Sequence, residues 1–354
     1  MFSKRPFIVA GPCSIESFDQ LKKVVQHLSE NNKVHLIRCG VWKPRTQPGG
    51  FEGMGEVALR WIADLKNIFP NTMFAVEVAQ PKHIELCLKY NIDVFWIGAR
   101  TSGNPFSMSE LSECIKGVNN VPIMIKNPPF PDVKLWAGAI ERMKNIGVER
   151  IAAIHRGFYS HNNCGYRNNP LWEIPIELKR IMPELPIICD PSHIAGDAKL
   201  VPTVAQTAMD MNFDGLMIEV HSDPQLALTD KHQQLSCQEF DALINKLNVK
   251  NNNTSADIEL SLLRKNIDAL DDELLQTLAK RFEIVRQIAK IKNSNNLSVL
   301  QIDRWNEVLN KTICKAEEMK ISTDFIRKIM EQIHAESVRI QCNNEWKSDK
   351  PAKE

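Results

Sequence analysis

The sequence predicts an α/β chain built as a (β/α)8 TIM barrel and followed by a small all-α unit of three helices. Three observations predict it. From residue 7 to about 247, short Val- and Ile-rich runs alternate about eight times with amphipathic segments of helical period. Polar residues collect at or just past the C-terminal ends of those runs, which in a closed barrel form a single face. A doubly wound open sheet is the alternative. Beyond residue 248 the β-α rhythm stops and a three-four apolar spacing takes over.

The strands are expected at residues 7–10, 34–38, 74–78, 94–98, 123–126, 150–155, 187–190 and 216–220, each an apolar run followed by a helical pattern. The polar residues at their ends are Cys13, Arg38, Glu77, Arg100, Lys126, His155, Arg156, Asp190, His193, Glu219 and His221. The barrel then occupies residues 1–248. Residues 249–256 are polar, aperiodic and Asn-rich, and read as a linker. The helical unit is expected over 257–342, and the polar segment 343–354 is expected to fray. Leu263, Ile267, Leu270, Leu274, Leu278, Phe282, Val285 and Ala289 keep helical spacing with no Pro or Gly between residues 257 and 292. At about 1.5 Å per residue that helix exceeds about 50 Å. The two shorter helices expected near 299–320 and 323–341 cannot cover it, so a second copy should, making at least a homodimer.

Charge and composition narrow the function classes. Lys and Arg number 44 against 43 Asp and Glu, a net charge of +1, so nothing points to nucleic acid or an anionic membrane. No run approaches the roughly 18 to 20 apolar residues of a membrane span. Nine cysteines, an odd number without a Cys-x-x-Cys pair, argue for reduced thiols and a cytoplasmic protein.

Two constellations carry chemistry. Arg38, Lys43, Arg45 and Thr46 fall within nine residues of a strand end, and Pro44 holds the flanking Lys43 and Arg45 apart. With Arg100, Lys126 and Arg156 they supply more cations than one site tolerates unless its ligands carry several negative charges, as two phosphorylated substrates would. A solvated basic loop, or a structural network with nearby Asp and Glu, is the alternative. Cys13, His193, Glu219 and Asp230 offer a thiolate, an imidazole and two carboxylates, a mixed set suited to a divalent metal with an open position. The donor set alone leaves the metal open, with Mn2+, Fe2+, Co2+ and Zn2+ all possible.

The motifs Gly11-Pro-Cys-Ser14, Lys43-Pro-Arg-Thr46, Ile97-Gly-Ala-Arg100, His155-Arg-Gly157, Asp190-Pro-Ser-His193 and Glu219-Val-His221 together resemble the heptulosonate phosphate (DAHP) synthases of the short type I branch, over about residues 5–245. That resemblance implies condensation of phosphoenolpyruvate with erythrose 4-phosphate and release of phosphate, the first step of the shikimate pathway. Arabinose 5-phosphate, the acceptor of the related octulosonate enzymes, is the alternative. It implies that Arg100, Lys126 and Arg156, helped by Arg38, hold phosphoenolpyruvate, and that Arg45 and Thr46 hold the sugar phosphate. Lys43 would protonate the new alkoxide and Glu77 would orient the water, while His221 stays behind the metal ligands. The metal would orient and polarise the aldehyde.

In the tail, Arg281 and Lys292 share a helical face about 16 Å apart, whereas Arg264 lies about 25 Å from Arg281 on another side. With Arg304, Ser337 and Gln341 they resemble the all-helical chorismate mutases over about residues 257–341. This implies rearrangement of chorismate to prephenate, with Arg264 supplied by the partner copy and Lys292 and Gln341 on the ether oxygen. Gln301 and Trp305 depart from the pattern, standing where acidic side chains are expected at the ring hydroxyl. Gly11-Pro12-Cys13 follows only ten residues after the start, so the tail is the expected sensor, and prephenate the expected inhibitor of the synthase. The alternative is a tail acting only as a ligand sensor or dimerisation arm.

Overall fold

The computed structural model describes residues 1–43, 49–118, 121–160, 165–250 and 257–342. Arg45, Thr46, most of the expected linker and the segment 343–354 lie outside the described residues. The chain divides into two compact units, Met1–Asn251 and Asn252–Glu354.

The first unit is a closed parallel barrel. Its strands are β1 (Phe7–Gly11), β2 (Leu36–Cys39), β3 (Phe74–Val78), β4 (Val94–Ile97), β5 (Ile123–Lys126), β6 (Ile151–His155), β7 (Ile187–Cys189) and β8 (Gly215–His221). They pair in sequence order, and β1 closes on β8 with Ala10 opposite Ile218, so the open sheet is excluded. A two-residue strand, β9 (Leu235–Ser236), pairs with the end of β8 and was not expected. The helices of this unit are α1 (Phe18–Glu30), α2 (Glu56–Ile68), α3 (Pro81–Lys89), α4 (Ala99–Ser102), α5 (Pro105–Ile115), α6 (Val133–Asn145), α7 (Glu173–Ile181), α8 (Pro191–Ala195), α9 (Val201–Asp210) and α10 (Cys237–Lys246).

Period-two alternation explains both the core and the site. Leu36, Ala75, Met124 and Met217 belong to the apolar filling inside the barrel, with Phe2 and Phe7 packed edge to face among it. Two residues further along the same strands, the same inward face carries Arg38, Glu77, Lys126 and Glu219. The outward residues, such as Ile37, Val76, Ile125 and Ile218, join the helices in the larger core between the layers. The inner face thus changes from apolar to ionic within one pleat, at the C-terminal end of the strands.

The second unit consists of α11 (Asp257–Ser294), α12 (Ile302–Glu318) and α13 (Thr323–Cys342). Helix α11 has 38 residues, as the unbroken spacing predicts. Val285 of α11 and Ala316 of α12 are the unit's buried apolar residues among those described, while Ile267, Leu270 and Leu274 of α11 remain 57, 63 and 59% exposed. An apolar stripe that helical spacing aligns is therefore left open to solvent along much of α11. No helix among the described residues is long and apolar enough to cross a membrane.

Candidate active sites

Three of the four expected metal ligands meet at the top of the barrel. Donor atoms of Cys13, Glu219 and Asp230 lie within 4.8 Å of one another, and Cys13 Sγ is 3.2 Å from Asp230 Oδ2. The fourth expected ligand, His193, approaches from α8, its Nε2 3.8 Å from Glu219 Oε1. Local sequence puts it there: Asp190 caps α8 by accepting from the His193 backbone N–H, Pro191 opens the helix, and Gly196 ends it at φ +70°. Asp190 also takes His193 Nδ1 at 2.9 Å, which leaves Nε2 directed at the ligand cluster.

The electrostatics of these groups fit a divalent cation. Burial, then the nearby Glu219, pushes the Cys13 thiol up to about 12. Burial alone would raise Glu219, but His193, Arg38 and Lys43 hold it below the usual carboxylate range. Burial depresses His193 against the pull of Asp190, favouring the neutral imidazole that ligates metals. A thiol so raised beside one buried and one half-buried carboxylate is poorly matched to them without positive charge between the three. Lys43 supplies part of it, with Nζ 3.0 Å from Cys13 Sγ.

Beside the ligands opens a cleft of about 350 Å³ lined by Lys43, Glu77, Arg100, Lys126, Arg156 and Arg167, with His193 and Asp230 in its wall. Lys126 reaches it over Asp190 at 2.8 Å. Burial, and then the like charges of Arg167 and Arg100, pull Arg156 down to about 10 against the opposing Asp190. Cations crowded enough to weaken one another call for an anion. Glu77 is held by Trp96 Nε1 at 3.1 Å, and Gly98 leaves room for its Oε1, which a Cβ there would displace.

Several expected residues sit differently. Arg38 does not line the cleft; it is 1% exposed beneath it, 3.0 Å from Glu219 and over the Trp96 ring at 5.3 Å. Its Nε and Nη1 have no hydrogen-bond partner among the described residues. His155 ends β6 but points outward into a ring of Trp136, Phe158, Trp172 and Phe213, away from the cleft. His221 faces Glu16 at 3.6 Å. Sequence reading also missed residues that the site uses: Arg167, Asn168, Gln233 and Gln234. Asn168 accepts from Arg156 at 2.7 Å and donates to the His193 carbonyl at 2.7 Å.

A profile described as DAHP synthetase I family matches residues 3–254. The chain belongs to the DAHP synthetase I family. Among its relatives, the phospho-2-dehydro-3-deoxyheptonate aldolase of Thermotoga maritima is 30% identical over 243 residues, covering 68% of each chain. The crystal structure of a DAHP synthase from the same organism superposes with a TM-score of 0.60 at 27% identity, covering 68% of each chain. A 2-dehydro-3-deoxyphosphooctonate aldolase of Nitratidesulfovibrio vulgaris is 24% identical over 69% of this chain and 91% of its own. Metal dependence is general in the DAHP synthase family, in keeping with the ligand cluster.

Residues 263–342 match chorismate mutase type II. The T-protein of Haemophilus influenzae is 37% identical over 75 residues, which are 21% of this chain and 20% of that protein. The chain is thus a DAHP synthase fused to a chorismate mutase, and both halves are enzymes. In the helical half, Arg281 Nη1 donates to Ser337 Oγ at 2.6 Å, joining α11 to α13. Gln341 donates to the Ser337 carbonyl at 3.2 Å, leaving its buried Oε1 without a partner among the described residues. Lys292 is buried and donates to the Val299 carbonyl at 2.6 Å. Arg304 instead turns to Glu307 at 2.6 Å, and Arg264 is exposed. Trp305 stacks on His334 at 4.0 Å.

Proposed function

We propose that the barrel condenses phosphoenolpyruvate with erythrose 4-phosphate, and that the observation carrying this reading is the convergence of the Cys13–His193–Glu219–Asp230 set with one cleft of cations. Arg100, Lys126 and Arg156 bind the phosphate of phosphoenolpyruvate. Arg38, buried beneath the cleft with its Nη2 on Glu219, helps hold phosphoenolpyruvate through its charge. Arg45 and Thr46 hold the sugar phosphate. A divalent ion on the four ligands, Mn2+ foremost, supplies Lewis acidity toward the aldehyde.

The methylene carbon of phosphoenolpyruvate attacks the aldehyde carbon, and the aldehyde oxygen gains the electron pair. Lys43 Nζ, held beside the ligand set by Cys13, delivers a proton to that oxygen. Positive character is left on the phosphate-bearing carbon, where a water oriented by Glu77 adds; loss of a proton and of inorganic phosphate completes the turnover. The decisive assay follows phosphoenolpyruvate consumption with erythrose 4-phosphate and with arabinose 5-phosphate, with and without chelator. Only the four-carbon sugar should support turnover, and only with metal. Turnover with the five-carbon sugar alone would move the chain to the octulosonate chemistry, and failure of both would refute the barrel reading.

The helical half is inferred to rearrange chorismate by compact binding. Arg281 takes one carboxylate, Arg264 of a second copy the other, and Lys292 and Gln341 face the ether oxygen, with Ser337 holding Arg281 in place. Arg304 assists from the rim. The open apolar stripe of α11 supports such a dimer. Prephenate bound there inhibits the synthase through a coupling of about 1–3 kcal/mol.

A further inference from the structure

Gln233 and Gln234 are adjacent, uncharged and each 1% exposed, and neither belongs to the apolar core. A buried primary amide must place two donors and an acceptor, so its partners reveal what it is for. Gln233 Nε2 donates to Glu219 Oε2 at 2.7 Å, and its Oε1 accepts from Arg167 Nη1 at 2.6 Å. Arg167 Nη1 also reaches Asp230 Oδ1 at 2.9 Å. Gln234 Oε1 accepts from the Cys13 backbone N–H at 3.0 Å, while its Nε2 donates to the Thr229 carbonyl at 2.8 Å. The turn between them is closed by the Gln233 N–H on the Asp230 carbonyl at 3.1 Å, with Asp230 at φ +45°. Asp is among the few non-glycine residues that adopt this conformation readily, and the turn places its carboxylate beside Cys13.

We propose that Gln233, Gln234 and Arg167 are positioning residues that lock Cys13, Glu219 and Asp230 into one frame, so that each carboxylate offers the metal a single oxygen. The oxygen bookkeeping carries this. Glu219 Oε2 is taken by Gln233, whereas Oε1 faces His193 Nε2 at 3.8 Å, with Arg38 Nη2 3.0 Å away as its ion-pair partner and no hydrogen bond formed to it among the described residues. Asp230 Oδ1 is taken by Arg167, whereas Oδ2 faces the Cys13 sulfur at 3.2 Å. In both carboxylates one oxygen is tied to the frame and the other points at the remaining ligands. The amide of Gln233 cannot turn over: a flip would set its oxygen against Glu219 and its NH2 against the Arg167 guanidinium. Removing any link frees a carboxylate to rotate or to bind through both oxygens.

The inference rests on the four-ligand reading, and Co2+ binding to the full chain tests both separately. Wild-type protein titrated with Co2+ should develop a thiolate-to-cobalt charge-transfer band; its absence would refute the ligand set itself. Given that band, Gln233→Met should weaken Co2+ about 10- to 100-fold in competition with a chromophoric chelator, the usual effect of losing an outer partner of a ligand, and should shift the d–d bands. Arg167→Met changes a half-exposed side chain, so it leaves the core intact and reports on the same link. It should weaken Co2+ in the same direction, and the double variant should lose less than the two single losses combined, because the two residues share a hydrogen bond while each also holds its own carboxylate. Melting of the metal-free variants separates loss of folding from loss of positioning. Unchanged Co2+ affinity and spectra in both single variants, or losses that simply add, would overturn the proposal.

Discussion

A single side chain can hold the barrel's chemistry or its stability, and Cys13 and His155 illustrate the two. Cys13 carries a thiol that burial makes hard to ionise, so its place among two carboxylates and a cation makes sense as a metal ligand. Cys13→Ala should abolish synthase turnover, and full activity of that variant under excess chelator would eliminate the ligand set. His155 has the opposite role. Burial, reinforced by Arg156, lowers it from the ordinary 6.5 to about 3, so it is neutral in the folded protein. Between those two values the unfolded chain binds the extra proton and the folded one does not; stability is therefore full above about pH 6.5 and is lost as pH falls toward 3. Urea unfolding from pH 7 to pH 4.5 should show this loss, of the order of a few kcal/mol, and His155→Asn should flatten the slope over the same range. An unchanged slope would assign the acid sensitivity to other groups. Cys13 and the charged ends of the strands were legible because they interrupt apolar runs. Arg167, Gln233 and Gln234 were not, since they stand in aperiodic loops after β6 and β8, where a polar residue is the ordinary expectation.

Among the elements, regular spacing was the legible part. The strand expected at 74–78 and that at 123–126 match β3 and β5 in full, while the others shift by a residue or two at their ends. The two-residue β9 escaped because a pair of residues has no period to read. Helix α11 was legible end to end within two residues, and its length now bears on the mutase. Seventeen residues of straight helix between Arg264 and Arg281 amount to about 25 Å, which one bound chorismate cannot bridge. Arg264→Ala and Arg281→Ala should each abolish mutase turnover, yet mixing the two proteins and allowing subunit exchange should restore part of it. No recovery despite demonstrated exchange would confine the site to one protomer. Trp305 departs from the mutase pattern: its indole stacks on His334 and so serves as a stacking surface more than a donor. Replacing it with the acidic side chain expected there should raise mutase kcat/KM if the ring hydroxyl lacks a partner, measured against the unaltered chain.

At the scale of the whole molecule, one chain joins the enzyme that begins a pathway to one that consumes its later product. Saturating prephenate should slow the synthase of the intact chain, and a chain ending near Lys250 should keep synthase turnover but lose that response. Equal rates with and without prephenate in the intact chain would leave the fusion without a regulatory role. The open stripe of α11 carries a further consequence, one of mass action. If a second copy covers Ile267, Leu270 and Leu274, the mutase depends on association, whereas the barrel closes on itself and keeps its core within one protomer. Dilution should therefore divide the two activities of one polypeptide: mutase turnover per chain falls as protomers part, and synthase turnover per chain survives to lower concentration. In a cell that makes little of this protein, the amount present would set the ratio between the two reactions before any metabolite does.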